Sequence, residues 1–361
     1  MKNVLKYAVV LFTALSFSFA QAGELSVTGS AKASYVIISS DSSTGAQEQP
    51  NSLGVANEFN LGASGELDNG MSWGYNIDID GDTTQDDGSL FLSSGMGKVM
   101  ISISEGGLET SKKGIFSATG DRGSDSAYDE GMFEEWSIGD ANNISYHTPA
   151  DLLPFGIKGS IAYAPSTVAD ANQSVNNLVA ANTGAITAPN NSGKVYSAGS
   201  VANAGRTMTQ YAVHATPIDG LTLGASYEDF GGATGDTGQN AEGGAWYANY
   251  AIGNAKIGYG RSYVALPNAK TAATYETVLG TKYSALIAVN DALSISYGVE
   301  KSETTHMLAT TDDVEMEVTQ IAAAYTTGGL TLAVSMNDYE NVLYTANQDV
   351  KSTVFNVSMA F

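Results

Sequence analysis

The sequence has no cysteine, and in 361 residues it has only seven prolines, three histidines and three arginines; its 16 basic residues face 38 acidic ones. Without cysteine there is no disulfide framework, thiolate metal site or thiol nucleophile. The acidic balance weighs against a nucleic-acid partner and favours small cations. His147, His214 and His306 fall in separate strands or loops, and no nucleophile elbow, phosphate loop or zinc spacing accompanies them, so enzymatic activity is not expected. Beyond the first 22 residues no apolar run reaches the roughly 18 to 20 residues of a membrane helix. That excludes a helical membrane protein and leaves a membrane β-barrel open, because a barrel dilutes its apolar face by alternation.

What is present begins with an export signature. Lys2 and Lys6 precede an apolar run from Tyr7 to Phe19 that ends in Ala20-Gln21-Ala22, which reads as a signal peptide over residues 1–22. Its removal leaves 14 basic residues against 38 acidic ones and a formal charge of −24. No proline-rich linker or compositional break divides residues 23–361, which read as one domain.

That domain alternates. Leu25, Val27, Ala31, Ala33, Tyr35 and Ile37 share one parity, and Ser26, Thr28, Ser30, Lys32 and Ser34 the other. Phe59, Leu61 and Ala63 lead through Asp68-Asn69-Gly70 to Trp73, Tyr75, Ile77 and Ile79, a hairpin signal. Short strands are read at Leu90–Ser93, Lys98–Ser104 and Ile144–Thr148, and longer ones at Thr207–Thr216, with a turn from Pro217 to Gly220, and at Tyr275–Ala288. The bland stretch from Pro165 to Gly205 reads as a surface loop. Sixteen strands result, with short turns alternating with longer loops. An all-β, 16-stranded antiparallel transmembrane barrel closes such a set without a free edge.

A soluble sandwich would bury its apolar parity in a core. Against that, glycine totals 40, the polar parity is rich in Ser, Thr and Asn, and the 19 tyrosines recur near strand ends, as membrane-interface girdles require. Together with the terminal Phe355, Val357, Met359 and Phe361, the segments Gly23–Gly29 and Leu90–Val99 resemble the general porins of Gram-negative outer membranes, particularly those of alphaproteobacterial type. The resemblance covers the whole mature chain. It implies a bacterial outer-membrane location, a homotrimer, contact with lipid and lipopolysaccharide, and Phe361 as the assembly signal read by the outer-membrane insertion machinery. It also implies a third loop folded inward to narrow the channel.

Residues 105–142, after the fifth strand, match that loop in position and acidity. Glu109, Asp121, Asp125, Asp129, Glu130, Glu134 and Glu135 are the candidate acidic constriction, against Lys112, Lys113 and Arg122. Parity puts Lys32, Glu58, Asp78, Asp80, Lys98, Lys158, Lys256 and Lys282 on the channel wall, with Glu228 and Glu300. Lys32 and Lys98 are the candidates for the basic side of a field across the narrowing. The arginine cluster of the resembled family is absent, so small hydrophilic solutes and cations are the expected cargo. Loop carboxylates also have the chemistry to take calcium. Other readings are a substrate-specific channel, for which Tyr247 is the one lumenal aromatic, and a surface-binding or adhesin barrel working through Pro165–Gly205.

Overall fold

The computed structural model describes residues 24–40, 51–80, 87–103, 105–125, 135, 137–149, 151–165, 207–231, 242–265, 275–306 and 313–360. The expected export signal, the terminal Phe361, and the Pro165–Gly205 loop beyond Pro165 lie outside the described residues. Sixteen strands form: β1 (Glu24–Ser40), β2 (Ser52–Glu66), β3 (Ser72–Asp80), β4 (Asp87–Ser94), β5 (Gly97–Ile103), β6 (Asn143–His147), β7 (Lys158–Ala164) and β8 (Thr207–Ile218). They continue as β9 (Leu221–Gly231), β10 (Glu242–Ile252), β11 (Ala255–Ala265), β12 (Tyr275–Ala288), β13 (Leu293–His306), β14 (Glu315–Thr327), β15 (Leu330–Glu340) and β16 (Val350–Ala360).

Each strand pairs antiparallel with its sequence neighbours, and β1 pairs with β16, so the sheet closes into a barrel. The closing register sets Ala31 against Met359 and Tyr35 against Phe355. Closure matters because every strand edge then has a partner, which a membrane demands of any backbone that crosses it.

The expected Thr207–Thr216 strand followed by a turn at Pro217 is corrected in detail. β8 runs on to Ile218 across a register irregularity between Ala215 and Ile218. Pro217 has no N–H for the ladder, so the irregularity absorbs it and the turn tightens to Asp219–Gly220. The strand expected at Leu90–Ser93 begins earlier, at Asp87, because Asp87 and Gly88 pair with Asp78 and Ile77.

The two strand faces part as the alternation demands. Ile321, Tyr297 and Phe355 keep about half their surface open, at 53%, 46% and 46%, whereas Gln210, Glu228, Lys282 and Glu300 on the other parity are at or near zero. A side chain on the outside of a closed barrel cannot be that shielded, so the polar parity faces inward and the apolar parity faces lipid. Toward the long-loop ends of β13 to β16 the outward face turns polar, with Lys301 against Glu315 (2.9 Å) and Glu317 (2.5 Å), and Lys351 against Asp338 (3.1 Å). Such pairs suit the headgroup edge rather than hydrocarbon.

The inward parity is not polar throughout. Near the long-loop ends Ala164, Met208, Phe230, Val264, Met316 and Tyr339 point inward and bury together with Leu108, Ile138, Val342 and Tyr344. Where protein covers the wall, close-packed apolar side chains replace the polar ones that water would require.

Candidate functional site

The acidic segment after β5 is held by the inward face of the barrel, strand after strand. Gln210 on β8 accepts from the Leu108 N–H (2.9 Å), and the Thr110 hydroxyl bonds that of Ser226 on β9 (2.9 Å). Asn249 on β10 donates to the Lys113 carbonyl (2.6 Å). Ser284 on β12 accepts from the Phe116 N–H (2.7 Å), and Ser296 on β13 from that of Ala118 (2.8 Å). Gln320 on β14 donates to the Asp121 carbonyl (3.2 Å), and Tyr339 on β15 to that of Gly123 (2.6 Å). At the far end the Asp121 carboxylate meets Lys32 on β1 (2.5 Å) and Asn356 on β16 (3.2 Å).

Serine or asparagine suffices at β9, β10, β12, β13 and β16 because the segment lies close there. At β11 the fit is closer still: a Cβ on Gly258 would come 2.7 Å from the Gly114 carbonyl oxygen, and one on Gly114 would come 2.9 Å from the Gly260 Cα. Backbone rests on backbone there, which only glycine allows.

The carboxylates divide by what they touch. Glu135 is buried, and its oxygens accept from the Thr110 N–H (2.6 Å), the Ser111 N–H (3.1 Å) and the Ser226 hydroxyl (2.8 Å). It braces the segment where it meets β9. Asp125 accepts from the Arg122 N–H and pairs with its guanidinium, both at 2.7 Å. Glu300 takes Ser124 through N–H (3.1 Å) and hydroxyl (2.9 Å), with Lys282 at 3.6 Å and Arg122 at 3.9 Å. Those two longer contacts are coulombic attractions beyond hydrogen-bond reach. Glu109 accepts from the Ser137 hydroxyl (2.9 Å); burial raises its carboxyl above the usual range, with Glu135 adding to the rise and Ser137 and Lys112 opposing it. Asp129, Glu130 and Glu134 lie outside the described residues.

On the wall, Lys32 and Lys98 part company. Lys32 reaches Asp121, whereas Lys98 stands beside the β4–β5 turn, 5.5 Å over the ring of Phe91 and paired in register with His147. Lys158 opens β7 opposite His214. Lys256 lies 5.8 Å over Phe116, and Lys282 is buried against Glu300. Asp78 pairs in register with Asn60 on β2 and Asp87 on β4, and Glu58 with Asp80. Tyr247 is lumenal, as its parity implies, and its hydroxyl bonds His214 Nδ1 at 3.1 Å. Phe91 and His214 were not placed on the wall by the sequence reading, although each sits on the polar parity of its strand. Among the described residues no three His, Asp or Glu side chains group to hold a metal.

Comparison with known proteins gives the arrangement a family. A family model described as Gram-negative porin matches residues 8–284. No curated protein sequence matches. Among solved structures, a porin refined at 1.8 Å has a TM-score of 0.59 at 15% identity, covering 94% of this chain and 100% of that one. The outer-membrane protein OmpT of Vibrio cholerae gives 0.62 at 11% identity over 95% and 99%. An anion-selective porin from Comamonas acidovorans gives 0.61 at 13% identity over 94% and 100%. These three share the fold; the family match, which spans well over half of the sequence, makes this chain a member of the Gram-negative porin family.

Proposed function

We propose that the chain is an outer-membrane channel through which small hydrophilic solutes and ions diffuse down their gradients, narrowed by the segment that follows β5. The observation that carries this reading is the run of bonds from that segment to inward residues on nine strands, from Gln210 on β8 round to Lys32 on β1. With β8 to β16 covered and the segment's far end tied to β1 at Lys32, the free passage runs between the segment and the opposite wall, β2 to β7.

A preference for cations follows from charge. Glu58, Asp78, Asp80 and Asp87 occupy neighbouring register positions on β2 to β4. Carboxylates in a narrow, poorly hydrated passage concentrate cations and repel anions, most at low salt. The selectivity of the Comamonas acidovorans porin is its own property and does not transfer with the fold. A homotrimer fits the small outward Ala31 and Ala33 on β1, which would let subunits approach closely.

Planar-bilayer recording tests the reading. Stepwise conductance increments and a cation-selective reversal potential in a potassium chloride gradient are expected. Absence of steps refutes the channel, whereas steps with an anion-selective sign refute only the cation preference.

A further inference from the structure

The lumenal charge is divided along the barrel axis as well as across it. Asp78, Asp80 and Asp87 sit at the ends of β3 and β4 that lead into the 81–86 connection, whereas Lys98 and Lys256 each lie within two residues of a two-residue turn, at 95–96 and 253–254, and His147 and Lys158 flank the 148–157 connection at that same end of the barrel. Short turns mark the periplasmic end of a bacterial barrel and long loops the outer end.

Along β5 to β8 the periplasmic wall forms a continuous basic arc. Lys98 on β5 pairs in register with His147 on β6, and Lys158 on β7 with His214 on β8. The His147 ring is fixed from both sides, Nε2 against the Ser145 hydroxyl (3.1 Å) and Nδ1 against that of Ser160 (2.8 Å). The His214 ring is fixed by Tyr247, which reaches it over Gly224: a Cβ there would come 2.2 Å from the tyrosine ring. Lys113 on the acidic segment is a further cationic neighbour of His214. None of the ion pairs among the described residues involves Lys98 or Lys158. Among the described strand residues on this parity the carboxylates at the same end of the barrel are Glu66 and Glu24, Glu66 three strands from Lys98, roughly 14 Å at the usual strand spacing, while Asp151 and Asp219 lie in the connections that follow β6 and β8.

Lysines set in register against histidines gain no countercharge from those partners. They do suit a multivalent anion. Directly paired side chains start about 5 Å apart and two hairpins span about 14 Å, so two flexible ammonium groups can converge over His147 on one small ligand. We infer that the periplasmic half of the lumen, along β5 to β8, holds a binding station for small multivalent oxyanions, with Lys98 and Lys158 as its charged contacts and His214 as a hydrogen-bonding partner. The inference rests on the channel reading and adds a ligand class to it: anions arriving from the periplasmic side are held below the acidic end of the wall.

The test uses inorganic pyrophosphate with the full chain in planar bilayers. Orientation is fixed by D151C, in the exposed turn between β6 and β7 of a chain with no cysteine of its own, labelled from one side with an impermeant maleimide. Pyrophosphate added on the short-turn side is expected to block current at a concentration at least about tenfold lower than on the long-loop side. The double variant K98Q/K158Q is expected to lose that difference. Equal potency from both sides, or sidedness that survives in K98Q/K158Q, overturns the station. Sidedness of the unmodified barrel decides by itself if the double variant fails to insert. No conductance at all would instead refute the channel reading beneath it.

Discussion

At the scale of single residues, two ion pairs at the candidate site do different work. Lys32 and Asp121 are each about one-third exposed, at 32% and 34%, so water screens their attraction and the pair adds little stability. Its consequence is local: a charge that would line the passage is partly offset. Glu300 is 1% exposed and holds the acidic segment through Ser124 while facing the buried Lys282. Removing it takes a close countercharge from a buried ammonium, a change that costs about 3 kcal/mol. E300A is therefore expected to loosen the segment around Arg122, and trypsin should cut at Lys112, Lys113 or Arg122 in the variant while sparing the parent. Equal resistance in both would mean that Glu300 does not anchor the segment. Glu300 and Lys282 were legible as polar-parity residues, but that they bury against each other was not. Alternation tells which way a side chain points and is silent about whether water or protein fills the space beyond.

At the scale of elements, the acidic segment is set by the β11 wall as much as by its own sequence. Gly258 and Gly260 leave room for Gly114 to lie against the strand. Adding a methyl group at Gly258 drives a Cβ into a carbonyl oxygen, which cannot swing aside as a side chain can. G258A is expected to shift the segment off the wall toward the passage and to lower single-channel conductance by a measurable fraction, with the barrel still formed; unchanged conductance would show that the contact does not set the width. Strand periods and turns were readable because alternation and Asp-Asn-Gly or Gly-Gly punctuation are local signals. The anchors were not. Gln210, Ser226, Ser284, Ser296 and Gln320 carry the same polar signature as any water-facing wall residue, and their partners lie more than 100 residues away in sequence.

At the scale of the molecule, closure of β1 on β16 turns sixteen marginal amphipathic strands into a wall with no free edge, apolar outside and largely polar within. The strand count, the parity of Lys32, Asp78 and Lys282, and the place of the acidic segment after β5 all followed from period-two patterning. The axial division of charge did not, because it depends on which end of each strand meets a short turn, and so on the register of the whole barrel. On the channel reading proposed above, the segment after β5 sets the pore width, since the rest of the wall is fixed by the sheet. That claim is tested most directly by polymer exclusion: the largest polyethylene glycol that enters the open channel, measured in planar bilayers for the full chain and for a variant lacking residues 112–122. A clearly larger size cut-off and higher conductance in the shortened barrel are predicted. An unchanged cut-off in a barrel that still conducts would contradict the account.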